Sequence, residues 1–94
     1  MIVVRNIFVA KPGQASKLAA QFKSAAAAAK IPRHRVLTDL TGECNRVVFE
    51  HEVESVAQFE TMMKDSGTGD AMRAALMGYT DLFLTASREL LQTA

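Results

Sequence analysis

Residues 33–54 constrain what this chain can fold into more than any other stretch. Two runs of strand-like composition, 33–40 and 46–54, flank Thr41-Gly42-Glu43-Cys44-Asn45, a connection rich in turn formers. With Leu40 opposite Asn45, Asp39 faces Arg46, Arg35 faces Glu50 and Arg33 faces Glu52, so opposite charges pair along one face. On the other face Val36 meets Phe49, Thr38 meets Val47 and His34 meets His51. A slip of one residue would lay Val36 against Glu50 and spoil both faces. The stretch is therefore a β-hairpin of defined register, with one apolar and one charged face.

The remaining elements follow from periodicity. Residues 2–9 are rich in Val, Ile and Phe and read as a well-buried strand, ended by Lys11-Pro12-Gly13. Residues 14–30 switch to a helical pattern in which Leu18, Phe22, Ala25 and Ala29 share a face. The alanine run 25–29 favours a helix that packs closely, and Pro32 stops it. Ser55-Val56-Ala57-Gln58 is a capping box opening a helix that buries Val56, Phe59 and Met62 or Met63 and ends near Ser66-Gly67. Asp70 is placed to cap another helix, with Met72, Leu76, Tyr79 and Phe83 as its apolar stripe. In residues 87–93, Leu90-Leu91 fits either a prolonged helix or a short terminal strand.

The order strand, helix, strand, strand, helix, helix and a final segment suits a ferredoxin-like α+β sandwich of two layers. Its antiparallel four-stranded sheet carries the helices on one face. A length of 94 residues suits a single domain spanning 1–94. Such a fold leaves a sheet face bearing Leu37, Val48 and first-strand residues uncovered, and a twofold homodimer through that face is the simplest cover.

Composition narrows the classes of function. Net charge is +1, but residues 1–38 hold seven Lys or Arg and no acid, while residues 39–94 hold four basic and ten acidic groups. Interleaved in the fold, the two halves neutralise each other, and without Trp or aromatic–basic clustering nothing points to nucleic acid. No apolar run reaches the roughly 18 residues of a membrane span. The opening Met1-Ile2-Val3-Val4-Arg5 lacks a signal-peptide layout, and the lone Cys44 fits a reducing compartment, so a cytoplasmic location is expected.

The opening Ile2-Val3-Val4-Arg5-Asn6-Ile7-Phe8-Val9-Ala10-Lys11-Pro12-Gly13 resembles the first strand and Lys-Pro-Gly turn of the dimeric α+β barrel proteins. The nearest flavour is the NIPSNAP-like group, related in fold to the antibiotic-biosynthesis monooxygenases. Ser87-Arg88-Glu89-Leu90-Leu91 resembles that group's last strand. The resemblance implies that residues 87–93 are a strand and that two subunits pack sheet to sheet. It also implies a pocket beside the sheet, which some relatives use for aromatic or haem-like ligands. Haem-degrading members use an Asn, a Trp and a His; this chain has no Trp, and Asn6 matches no catalytic position residue by residue, so no activity is carried over.

Two sets of residues are candidates for a ligand site. His34 and His51 are cross-strand neighbours able to share a metal or accept a proton, although a zinc site wants three or four ligands and Cys44 lies at the far end of the hairpin. Glu50-His51-Glu52 is not the His-Glu-x-x-His motif, so no metal is expected. Arg5, Arg35 and Glu50, with Asn6 on the first strand, could hold an anionic or enolic substrate; the plainer reading is an inter-strand salt bridge. Tyr79 and the methionines read as core, Cys44 has no activating partner, and neither a nucleophile elbow nor a phosphate-binding glycine loop occurs. Two functions follow: a homodimer that binds a small apolar or aromatic molecule, with cofactor-free oxygenase- or isomerase-like chemistry, or a non-catalytic dimerisation module.

Overall fold

The computed structural model describes residues 1–42 and 44–94, the side chains of residues 66–68 excepted; Glu43 of the expected hairpin connection lies outside the described residues. The elements are β1 (Ile2–Ala10), α1 (Ala15–Ala28), β2 (Arg35–Thr38), β3 (Arg46–Val53), α2 (Val56–Lys64), α3 (Ser66–Ala75) and β4 (Phe83–Gln92), with a 3-10 turn at Tyr79–Asp81. The strands form one antiparallel sheet in the order β2-β3-β1-β4. This is the ferredoxin-like α+β arrangement that the sequence predicts.

The hairpin register is the expected one: Arg35 pairs with Glu50, Val36 with Phe49 and Thr38 with Val47. Asp39 and Arg46 meet through backbone, the Arg46 N–H also donating to Asp39 Oδ1 at 3.2 Å, and Arg33 lies 3.7 Å from Glu52. Alternation along β1 and β3 sends Val4, Phe8, Val47, Phe49 and Val53 to the helix side, where all are buried. There α1 lays Leu18, Phe22, Ala25 and Ala26 on them. The two alanines are wholly buried, and their small side chains let the helix approach the sheet. Phe22 sits at the centre, its ring centroid 4.6 Å from Phe8 and 5.7 Å from Phe49.

α1 ends before Pro32 acts. Lys30 takes a left-handed conformation at φ 54°, the Ile31 N–H reaches Ala26 O at 3.0 Å and the Lys30 N–H reaches Ala27 O at 3.2 Å. This Schellman closure satisfies the last carbonyls and tucks Ile31 into the core. α2 starts as its capping box predicts, with the Gln58 N–H donating to Ser55 Oγ at 3.1 Å. Gln58 Oε1 accepts from the Glu54 N–H rather than from Ser55.

Three expectations are corrected. Asp70 lies inside α3, bonded to Arg73 at 2.9 Å, and caps nothing. The stripe Met72, Leu76, Tyr79 and Phe83 packs on the core throughout, but the helix ends at Ala75. Gly78 then turns left-handed at φ 79°, Tyr79 falls in the 3-10 turn and Phe83 opens β4. Helical spacing therefore marked burial correctly across a segment that is only partly helix. In α2, Val56 and Met63 stay exposed and no residue is fully buried. That helix stands off the sheet.

Candidate functional site

The standoff of α2 leaves a cavity of about 180 Å³ between the sheet and the α2–α3 pair. Its floor is the helix-side row of the sheet: Val4, Asn6, Phe49 and His51. Its roof is Phe59, Met62, Met63 and Met72, and Arg88 of β4 borders it. A space of this size accepts a single-ring molecule, since a 150 Å³ apolar cavity holds benzene. Thioether side chains in the roof adapt to irregular shapes.

The polar groups in this apolar setting come from inward positions on three strands. Strand alternation places Asn6 between Val4 and Phe8, His51 between Phe49 and Val53, and Arg88 between Ala86 and Leu90. The Arg88 Nε–H donates to Asn6 Oδ1 at 2.7 Å, while Asn6 Nδ2 donates to Phe49 O at 3.4 Å. The guanidinium lies 5.6 Å from the centre of the Phe59 ring, and among the described residues no carboxylate forms an ion pair with it. His51 is 7% exposed, and its Nδ1 is buried without a hydrogen-bond partner. Burial, then the positive charge of Arg88 and that of His34, hold its pKa below the ordinary imidazole value. The site thus joins a neutral imidazole to an uncompensated cation.

Beyond Arg88 and Asn6, which line both spaces, an open cleft of about 290 Å³ runs past Phe8, Tyr79, Phe83 and Ala86. Arg88 stands as the partition between the two.

The sequence-derived candidates separate across the sheet. Asn6 and His51 meet at the cavity, whereas Arg5, Arg35 and Glu50 lie on the opposite face. Glu50 is 3% exposed, with Oε2 accepting from Arg5 Nε–H at 2.5 Å and Oε1 accepting from Arg35 Nε–H at 2.7 Å. Burial pushes its carboxyl up, but hydrogen bonds from Arg35 and Arg5 and their charges outweigh that and hold it below the ordinary value. Beside Arg35 and Glu50 lies a small polar groove of about 120 Å³, at Val3, Arg33 and Glu52. His34, exposed at the start of the hairpin, has its Nδ1 2.7 Å from Ile31 O. Among the described residues no three His, Cys, Asp or Glu side chains converge to hold a metal ion. Arg88 and the roof residues were not among the candidates. The available signal was a charged residue at an inward position of β4, legible only once the β1–β4 register is known.

No family model matches the chain, and no curated protein matches its sequence. Solved structures do match its fold. A NIPSNAP family protein from Agrobacterium tumefaciens str. C58 superposes with a TM-score of 0.73 at 12% identity, over 99% of this chain and 92% of that one. An uncharacterized NIPSNAP domain protein from Burkholderia xenovorans gives 0.73 at 17% identity, over 100% and 95%. This is the NIPSNAP-type α+β fold. The same architecture extends to a candidate antibiotic biosynthesis monooxygenase from Deinococcus radiodurans, with a TM-score of 0.71 at 14% identity over 100% and 93% of the two chains. The resemblance read from the two ends of the sequence agrees with these matches, and residues 87–92 are strand as it implied. Within this NIPSNAP-type fold no helix among the described residues is long and apolar enough to cross a membrane.

Proposed function

We propose that the protein is a homodimer that binds a small apolar or aromatic molecule carrying one anionic or enolic oxygen in the cavity under α2 and α3. The observation that carries this reading is the pairing of polar groups with apolar walls: His51 Nδ1 is buried without a hydrogen-bond partner, and among the described residues no carboxylate forms an ion pair with Arg88 beside it. A folded chain retains a buried unpaired atom such as His51 Nδ1 at a cost of about 1–3 kcal/mol, which a ligand that satisfies it offsets, while the exposed guanidinium of Arg88 supplies a cation at the rim. The apolar body lies under Met62 and Met72, and the oxygen faces Arg88 and the Asn6 amide.

The same arrangement suits proton removal next to that oxygen. Neutral His51 accepts the proton and Arg88 stabilises the negative charge that develops on the oxygen. This step opens an isomerisation, in which His51 returns the proton at another carbon. It also opens an oxygenation without a cofactor, in which dioxygen is the oxidant that the enolate reduces, the class suggested by the name of the Deinococcus neighbour. The second reading, a non-catalytic dimerisation module, draws on the charged face, where Glu50 is fully paired within the chain.

An NMR titration with 4-methylbenzoate and with neutral 4-methylbenzamide tests the proposal. The anion binds about tenfold more tightly, shifting the amides of residues around Asn6, His51 and Arg88, and Arg88→Met removes that preference. Met62→Trp fills the cavity and abolishes both titrations. Unchanged binding in Met62→Trp overturns the cavity as the site.

A further inference from the structure

The cavity under α2 and α3 and the open cleft beside it stand on one continuous floor. Inward residues of neighbouring strands line up in rows across the sheet: Phe49, Asn6 and Arg88 form one, and Val47, Phe8 and Ala86 the next. The first row belongs to the cavity, and its Asn6 and Arg88 line the cleft as well. Past them the cleft has an aromatic wall of Tyr79 and Phe83, both half-buried, with ring centroids 5.5 Å apart. Its floor there is Ala86, whose small side chain leaves the space open. Two apolar compartments therefore border the same pair of polar side chains.

Arg88 is held where it serves both compartments. Its Nε–H donates to Asn6 Oδ1 at 2.7 Å, and its guanidinium carbon lies 5.6 Å from the centre of the Phe59 ring in the cavity roof. The bond to Asn6 uses Nε, which leaves Nη1 and Nη2 as donors, and among the described residues no carboxylate forms an ion pair with them. A guanidinium presents its N–H bonds as a planar fork that matches two oxygens held side by side. A simple carboxylate has the two oxygens but only one arm, which fills one compartment and leaves the other to solvent.

We infer that the ligand is a 1,3-dicarbonyl compound with two apolar arms, its paired oxygens on Arg88, one arm in the cavity and the other in the cleft. This rests on the ligand-binding reading above and names the class of molecule. In the enol or enolate of such a compound the two oxygens lie side by side in one plane, and the two substituents leave in opposite directions. The oxygens take the fork while the arms take the two compartments. The cavity of about 180 Å³ holds a single ring, and the cleft of about 290 Å³ takes a second one against Tyr79 and Phe83. Removing the hydrogen between the two carbonyls spreads negative charge over both oxygens, so the class also suits the proton transfer to His51 proposed above.

Absorbance titrations with two diketones test the inference: dibenzoylmethane has a ring on each arm, and benzoylacetone has a ring on one arm and a methyl group on the other. The wild type binds dibenzoylmethane about tenfold more tightly, because the second ring leaves water for the cleft. Ala86→Trp, at an exposed strand position, fills the cleft and brings dibenzoylmethane to the affinity of benzoylacetone. Benzoylacetone itself stays within about twofold in that variant, which also reports an intact fold. Arg88→Met weakens both diketones by roughly tenfold. Equal wild-type affinities, a preference that survives Ala86→Trp, or loss of both diketones together in that variant overturns the two-armed ligand. Diketones that bind Arg88→Met unchanged overturn the placement of the oxygens. If 4-methylbenzoate binds the wild type and neither diketone does, the class fails and the cavity reading stands; if none of the three binds, both fail.

Discussion

Replacing His51 by leucine separates a residue kept for binding from one kept for folding. The imidazole is 7% exposed, its ring centroid is 5.8 Å from that of Phe49, and its Nδ1 has no partner. An unpaired buried polar atom costs about 1–3 kcal/mol, which an apolar side chain of similar volume recovers. Imperfect fit of the branched side chain takes back up to ~1.5 kcal/mol. With about 2 kcal/mol recovered and about 0.5–1.5 kcal/mol taken back, the net expectation is a gain of about 0.5–1.5 kcal/mol at pH 8, or roughly 2–12 °C in Tm for a chain of this size. The sign of the pH dependence follows from the lowered His51 pKa. As pH falls below about 6.5, the unfolded chain takes up the proton before the folded one does, so the wild type loses stability toward acid. His51→Leu lacks this loss, and its advantage widens between pH 8 and pH 5. Urea denaturation at both pH values measures the difference. Destabilisation by more than about 1 kcal/mol at pH 8 would refute the reasoning, because it would show that His51 is held by structural hydrogen bonds.

Other perturbations follow from the same structure. Phe22→Ala removes the ring packed between Phe8 and Phe49 and costs about 3–5 kcal/mol, enough to unfold much of the population in a thermal melt. Lys30→Gly relieves the left-handed residue that closes α1 and raises stability by about 0.5–1 kcal/mol in urea, whereas Lys30→Val lowers it. Glu50→Gln weakens two charged hydrogen bonds and costs roughly 1–2 kcal/mol at pH 7 after solvent screening of its half-exposed partners. Because the Glu50 pKa is lowered in the folded state, the wild type keeps this contribution above the ordinary carboxylate range and loses it as pH falls through the folded value. The two proteins therefore converge in stability toward pH 2, as read by acid titration of the far-ultraviolet signal.

Much of the fold was legible because the decisive signals are local and periodic. The hairpin declared its register through charges and apolar residues alternating at period two, and one slip would have exposed both errors at once. The Ser55 cap and the face of α1 were equally plain. β4 was not legible in this way: of its residues only Phe83 is even partly buried, so no alternation was imposed on it, and only the resemblance to the last strand of NIPSNAP-like proteins suggested it. Gly78 shows the complementary failure, since the stripe from Met72 to Phe83 keeps helical spacing on both sides of a left-handed break.

By itself the sequence determined the pairing of β2 with β3, with Arg35 and Glu50 on the face opposite His51, the faces of α1 and the start of α2. Tertiary structure alone decided that Arg5 joins Arg35 and Glu50 while Asn6 joins His51 on the other face, that Arg88 joins Asn6 across the β1–β4 register, and that α2 stands clear of the sheet above a cavity. The division has a physical reason. Periodicity records which side of an element meets water, a property of neighbours in sequence. A site depends on which residues of distant strands share a row, and on the spaces left where layers fail to touch. Those are set by the packing of the whole chain.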